Sequence, residues 1–322
     1  MRYLILVVKL LPCFMFFIFS LYVSSIYTLG DQETYIRVYE EIRNYNIISG
    51  FLYYNSALSS KEVFHYIFIF ISSSLLLDKV VLFSLLNTAL YASSVHMLKK
   101  LGFGFFWCGF VPFINFYFVV FYFSAERLKF GVFFLILSII FSFESKKKRS
   151  FTFLIFALLS HSQMIVYVIS NYVSAKLRFK TKFTYNIQTL LKLVPILLFS
   201  IASYFILPQI VSKLLIYLER TELNYLDFFK LFIFFAISFF SVKDKSKLTV
   251  TLFYIVILIP VILVGSSRLL FFCFLFFIVL RPVRNKCYDF FFLLFNVYFT
   301  YTGIDFIYNV YLYGEGFAIG LP

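Results

Sequence analysis

Charge is what this 322-residue chain has least of: Asp, Glu, Lys and Arg together make up 14% of it. Soluble domains carry about 25% charged residues, and no polar interval here is long enough to fold by itself, so a soluble fold is excluded. Cysteine is scarce as well. Cys13, Cys108, Cys273 and Cys287 lie inside or at the ends of apolar runs, with no CxxC pair and no His at ligand spacing. That makes a poor disulfide framework and a worse zinc site. The chain has no GxGxxG, no P-loop, no HExxH and no GxSxG, which removes the usual soluble-enzyme chemistries. No internal repeat of fixed period is present either.

What is present is apolar bulk. Hydrophobic residues make up 62% of the chain and mean hydropathy is +0.93. The 50 Phe and 25 Tyr fall within long apolar runs, where lipid-facing and helix-packing positions need volume. Codon bias toward Phe, Tyr, Ile and Lys explains them without any function. The expected fold is an all-α polytopic membrane protein, with one membrane domain over 1–322.

A net charge of +14 would suggest a nucleic-acid partner in a soluble protein. Its placement says otherwise. Lys99 and Lys100; Lys146 to Arg149; Lys176, Arg178, Lys180 and Lys182; Lys243, Lys245 and Lys247; and Arg281, Arg284 and Lys286 all sit in short gaps between apolar runs. They are sixteen of the 29 basic residues, and they read as cytoplasmic loops that orient the chain.

In chain order, Arg2 and Lys9 introduce a first span that reaches about Leu29 and is not a cleaved signal. The longest polar interval, 30–62, reads as an outer loop. Its Tyr35, Ile36, Tyr39 and Ile42 approximate helical spacing, as in an amphipathic helix on the membrane surface. Two short apolar runs, 63–77 and 80–98, follow, then 101–124 with a kink expected at Pro112. Counting each run as a full crossing puts Lys99–Lys100 and Lys146–Arg149 outside. Either one segment before Lys99 does not cross, or 101–124 is broken.

Next come 128–143, the basic turn, and 151–174 interrupted by His161-Ser162-Gln163. The last of these is one span with polar residues at mid-depth or a hairpin of short helices, and the flanking basic clusters favour the hairpin. Further spans are expected at 190–211, 231–242, 248–264, 269–280 and 288–301, with a second outer loop at 213–230.

Some residues carry chemistry. Arg127 and Arg268 are outer-face arginines whose guanidinium forks match phosphate oxygens; the plain alternative is snorkelling from a helix end. His161 has the right intrinsic pKa for a general base, with Asp31, Glu33 and Glu126 as rivals; its plain alternative is a polar packing residue. His65 and His96 stand in apolar runs with no partner nearby in sequence and read as structural.

Their order resembles a known family. An Arg opening a helix (Arg127), a basic turn (Lys146 to Arg149), and an apolar run ending in His161-Ser162 are similar to the Wzy-like, EpsG-type polymerases of O-antigen and exopolysaccharide. The acidic residue, Tyr pair and Glu opening a span (Asp31, Tyr35, Tyr39, Glu62) extend the likeness. So does an Arg after a short break, Arg268 behind Gly265-Ser266-Ser267.

The resemblance implies about 10 or 11 transmembrane helices, some short or re-entrant, in a glycosyltransferase fold of GT-C type. It implies polymerisation of lipid-linked repeat units at the outer face of the bacterial cytoplasmic membrane, without metal or cofactor. A polyprenyl-diphosphate-linked oligosaccharide is the donor and a second one the acceptor, with membrane lipid and a chain-length regulator as further partners. The implied catalytic residues are Arg127, Arg268, His161 and Glu126; the implied substrate-binding residues are Asp31, Tyr35, Tyr39, Lys129, Ser162 and Ser267. Competing expectations are a lipid-linked oligosaccharide flippase, an O-antigen ligase and a membrane acyltransferase.

Overall fold

Apolar runs of 10 to 26 residues become helices here because lipid offers no partner for backbone N–H and C=O groups, and a helix satisfies them internally. The computed structural model describes residues 2–60, 62–161, 163–170, 225–264 and 269–317, without the side chains of 2–10, 225–227, 259 and 262–264. The described residues form helices, turns and one isolated bridge pair, Val242 with Arg284. They divide into two compact units, 1–161 with 292–322, and 162–291.

The first unit contains α1 (Arg2–Ile26), α2 (Asp31–Glu41), α3 (Ile47–Leu58), α4 (Val63–Ser74), α5 (Lys79–Lys100), α6 (Phe105–Ile114), α7 (Phe116–Phe123), α8 (Glu126–Phe143) and α9 (Lys147–Ser160). Helix α5 is 22 residues long, about 33 Å, which matches a hydrocarbon core of about 30 Å. It packs against α1, α6 and α8. Phe16 of α1 stacks on Tyr91 of α5 at 4.4 Å, and Asn87 donates to Ser20 Oγ at 2.9 Å. Helices α8 and α9 form a tight pair in which Ser138 and Ser150 each donate to the other's carbonyl, at 2.8 and 2.9 Å. Small hydroxyl residues at that contact let two backbones approach.

Ion pairs fix which helix ends lie together. At one end, Glu144 meets Lys100 at 3.1 Å and Lys146 at 2.7 Å, so the two basic turns share a side. At the other end, Lys79 meets Glu126 at 2.7 Å and Glu62 meets Arg127 at 3.4 Å. Residues 62 and 79 therefore flank α4 while contacting adjacent residues of α8. The five residues 75–79 reach at most about 18 Å, too little to return from the far side of a membrane. Helix α4 stays at the end where it started, and this identifies the apolar run before Lys99 that does not cross.

Helices α2 and α3 belong to the same layer. Helix α2 turns 92° away from the second half of α1 and buries Gln32, Tyr35, Val38 and Tyr39 along one face, as the spacing of its apolar residues suggests. Helix α3 was hidden within the interval expected to be a polar loop. Asn46 starts it by accepting from Ile48 N and Ser49 N at 3.0 and 2.9 Å.

Three other boundaries differ from expectation. Helix α1 ends at Ile26 rather than near Leu29. The break in 101–124 falls at Asn115, with a 51° bend, and not at Pro112. Asn115 ends α6 in an extended conformation and caps α7 by accepting from Tyr117 N at 3.2 Å, which offers the backbone the bond that the helix loses.

Helix α13 (Tyr288–Tyr313) continues twelve residues beyond the expected end at Tyr301. Its buried positions Phe292, Phe295, Phe299, Phe306 and Val310 keep helical spacing through the polar Thr302, Asp305 and Asn309. Gly303 faces the α6–α7 break so closely that a methyl group there would overlap the Ile114 carbonyl oxygen. Gly303→Ala is expected to lower stability by about 1–3 kcal/mol, read as a shift in unfolding midpoint in detergent; an unchanged midpoint would show that this approach is dispensable.

The second unit contains residues 164–170, which are helical, then α10 (Tyr225–Phe240), α11 (Asp244–Val264), α12 (Leu270–Val279) and the first turn of α13. Helix α12 is buried on every side from Leu270 to Ile278. Phe276 stacks on Phe253 at 3.6 Å, and Tyr167 meets Phe272 at 5.5 Å. The described part of 213–230 is helical from Tyr225 onward. The span expected at 190–211 and the basic run 176–182 lie outside the described residues.

By length and composition, two described helices, α5 and α13, can cross a membrane. Up to four spans result if the bent pairs 11–26 with 31–44 and α6 with α7 each count as one, and α4, α12 and 228–240 are shorter apolar helices.

Candidate functional site

The end of the first unit opposite its basic turns gathers the ends of four helices. Arg127, in the first turn of α8, donates from Nε to the Tyr35 hydroxyl at 3.1 Å and from Nη1 to the Leu58 carbonyl at 3.3 Å. Leu58 is the last residue of α3, so its carbonyl has no partner further along the helix. Ser59 follows in the left-handed region (φ 47°) and turns the chain toward Glu62.

Glu62 precedes α4. Ser60 Oγ donates to its Oε2 at 2.7 Å and accepts from its backbone N at 3.3 Å. Its Oε1 meets His161 Nε2 at 3.0 Å. His161 ends α9 with an extended backbone (φ −158°, ψ 130°), and the chain is helical again from 164. The polar triplet therefore interrupts the helix, and the described residues on its two sides do not form one unbroken helix.

One carboxylate thus sits between an imidazole and a guanidinium brought from positions 161 and 127. The side chains of Arg127, Glu62 and His161 are 20, 14 and 12% exposed, open enough for a ligand to reach. Burial by itself raises the Glu62 pKa, but His161, Arg127 and the Ser60 hydroxyl more than offset it and hold the carboxyl below its usual value of 4.5.

A carboxyl lowered on folding contributes stability that is complete above its unfolded pKa and is lost as pH falls through the folded one. Stability in detergent is therefore expected to fall on acidification below about 4.5, and Glu62→Gln to flatten that acid limb. An acid limb of equal slope in both proteins would remove Glu62 from it.

Glu126 and Lys129, adjacent in sequence to Arg127, face a second and deeper cluster. Glu126 Oε1 takes a 2.7 Å hydrogen bond from Lys79, which also donates to Gln32 Oε1 at 3.0 Å. Lys129 donates to the Tyr122 carbonyl at 2.8 Å and lies 4.9 Å from the Phe83 ring. These side chains line a cavity with about 40 Å³ open to the centres of water molecules. Glu126 is 4% exposed and Lys129 1%, so neither stands where Arg127 and His161 do.

The remaining expected residues are dispersed. Tyr35 joins Arg127. Tyr39 donates to the Leu77 carbonyl at 3.1 Å and packs in the apolar cluster with Val38, Ile42 and Ile69. Asp31 is an exposed residue opening α2, where a carboxylate favours the helix dipole. Ser162, Ser267 and Arg268 lie outside the described residues.

Two residues were not singled out for the site from sequence. Glu62 carried one signal, an acid immediately before an apolar run. His65 carried none: its partners, the Tyr54 hydroxyl at 3.0 Å from Nδ1 and Glu126 at 3.9 Å from Nε2, come from other elements. Among the described residues no three His, Cys, Asp or Glu side chains group as metal ligands. Compared with protein-family models, with curated proteins and with solved structures, the chain matches none of them.

Proposed function

We propose that this chain is a membrane glycosyltransferase that polymerises polyprenyl-diphosphate-linked repeat units of a surface polysaccharide, an O-antigen, capsule or exopolysaccharide. The observation that carries the reading is the Arg127–Glu62–His161 group, partly exposed at the membrane end away from the basic turns. Basic turns face the cytoplasm, so the group faces the outer side of a bacterial cytoplasmic membrane. The full chain is proposed to follow the GT-C plan, with about 10 or 11 transmembrane helices, some short or re-entrant.

The chemistry needs two things. Displacing a diphosphate from an anomeric carbon builds negative charge on the leaving oxygen, and a positioned guanidinium stabilises it. Arg127, anchored through Tyr35 and the Leu58 carbonyl, fills that role, with Arg268 as a second cation. The attacking sugar hydroxyl must lose a proton, and His161 takes it. Glu62 orients the imidazole and stabilises its charged form. No metal enters this scheme.

The test is elongation in proteoliposomes supplied with one lipid-linked repeat unit. A ladder of products supports a polymerase. Movement of the unit between leaflets without a ladder indicates a flippase, and transfer only to a lipid A acceptor indicates a ligase; either result would overturn the reading.

A further inference from the structure

His65 is buried to 1% in the first unit, beside two groups that can carry a proton, and the transfer scheme gives it no task. It is one member of a series of neighbouring polar groups. His161 Nε2 lies 3.0 Å from Glu62 Oε1, and Glu62 Oε2 lies 2.7 Å from Ser60 Oγ. Ser60 neighbours Tyr54, and the Tyr54 hydroxyl lies 3.0 Å from His65 Nδ1. His65 Nε2 faces Glu126 Oε2 at 3.9 Å, and Glu126 Oε1 holds Lys79 at 2.7 Å beside the cavity.

We propose that this series is a proton relay, carrying the proton removed from the acceptor hydroxyl at His161 through the protein to the cavity at Lys79. The inference rests on the reading of His161 as the base.

Three features point to a conducting series rather than to packing. Ser60, Tyr54, His65 and Glu126 are each buried to 4% or less, where polar side chains in a membrane domain are costly unless they serve a path. His65 Nε2 has no hydrogen-bond partner and is too far from Glu126 for one; about 1 Å of side-chain movement closes the gap. The far end opens on a cavity where Gln32, Lys79, Glu126 and Lys129 stand among apolar neighbours, with room for water.

The step balances without an oxidant or reductant. His161 accepts one proton at its other ring nitrogen and releases one from Nε2 to Glu62, which passes one from Oε2 to Ser60 once the Ser60 hydroxyl has turned its own hydrogen toward Tyr54. Each hydroxyl along the way gives one proton and receives one, His65 takes a proton at Nδ1 and gives one from Nε2, and Glu126 passes it to cavity water. Charges facing the path favour passage in this direction. Arg127 lies 3.4 Å from Glu62, so a proton does not settle there. At the exit Lys79 touches Glu126 and Lys129 lines the same cavity, so Glu126 gives its proton up. The Tyr35 ring, 6.0 Å from His65, carries no charge into the middle of the series.

The experiment follows elongation rate against pH in proteoliposomes for wild type, Tyr54→Phe, His65→Gln and a control, Tyr66→Phe. The Tyr66 hydroxyl donates to the Ile47 carbonyl, off the path. Near neutral pH, Tyr54→Phe and His65→Gln are expected to slow elongation by about 10- to 100-fold. Both should recover as pH rises and outer water takes the proton directly, while Tyr66→Phe keeps the wild-type profile. If Tyr54→Phe keeps the wild-type profile, or loses the same factor at every pH as Tyr66→Phe does, the relay is wrong and the polymerase reading stands. A wild type that does not elongate overturns both.

Discussion

Arg127→Ala is expected to abolish long polysaccharide chains and leave single repeat units, seen as collapse of the ladder on a gel. Removing one preorganised donor to a developing oxyanion costs about 100- to 1,000-fold in rate, enough to empty the upper part of a chain-length distribution. Arg127→Lys should rescue little. The side chain uses Nε toward Tyr35 and Nη1 toward Leu58, a spread geometry that one ammonium cannot reproduce. The Ala variant also leaves Glu62 with His161 as its remaining ion-pair partner in the group, so folding must be checked by unfolding midpoint. Full-length chains from a folded Arg127→Ala protein would take Arg127 out of the mechanism.

Glu126→Gln is expected to destabilise the protein more than any change at the outer group, by about 3–5 kcal/mol. The carboxylate compensates Lys79, and with it removed two ammonium groups line the same cavity with no carboxylate among the lining residues. Desolvation of an unpaired buried charge, rather than loss of attraction, sets that cost. The double variant Lys79→Met with Glu126→Gln should therefore recover much of the loss, a coupling visible in a double-mutant cycle of unfolding midpoints. Strictly additive effects would mean the pair is not coupled.

Much of the helical layout was legible, because apolar runs between basic clusters mark helices whatever their neighbours. The failures have separate causes. Helix α3 was hidden by the polar residues on either side of a short apolar run. Pro112, inside the last turn of α6, drew attention from Asn115, although it is the Asn capping the next helix that ends this one. The end of α13 was cut short because Thr302 interrupted an apolar run, while Gly303, Phe306 and Val310 held the face. The orientation puzzle before Lys99 yielded only to Lys79, Glu62 and their partners on α8.

The site was half visible. Arg127 and His161 could be marked as polar groups beside apolar runs, and Tyr35 by the helical spacing of 35, 36, 39 and 42. That Glu62 joins them, that Lys129 turns away into a cavity, and that Tyr39 goes to the core depended on helix ends meeting.

Transfer free energies add residue by residue, so the order of amino acids was enough to mark the apolar runs and their helical state. The partners of Glu62, Glu126 and His65 required folding, because a charge is compensated by whatever lies within a few ångströms in space. Residues 62, 127 and 161 come that close only once four helix ends are packed together.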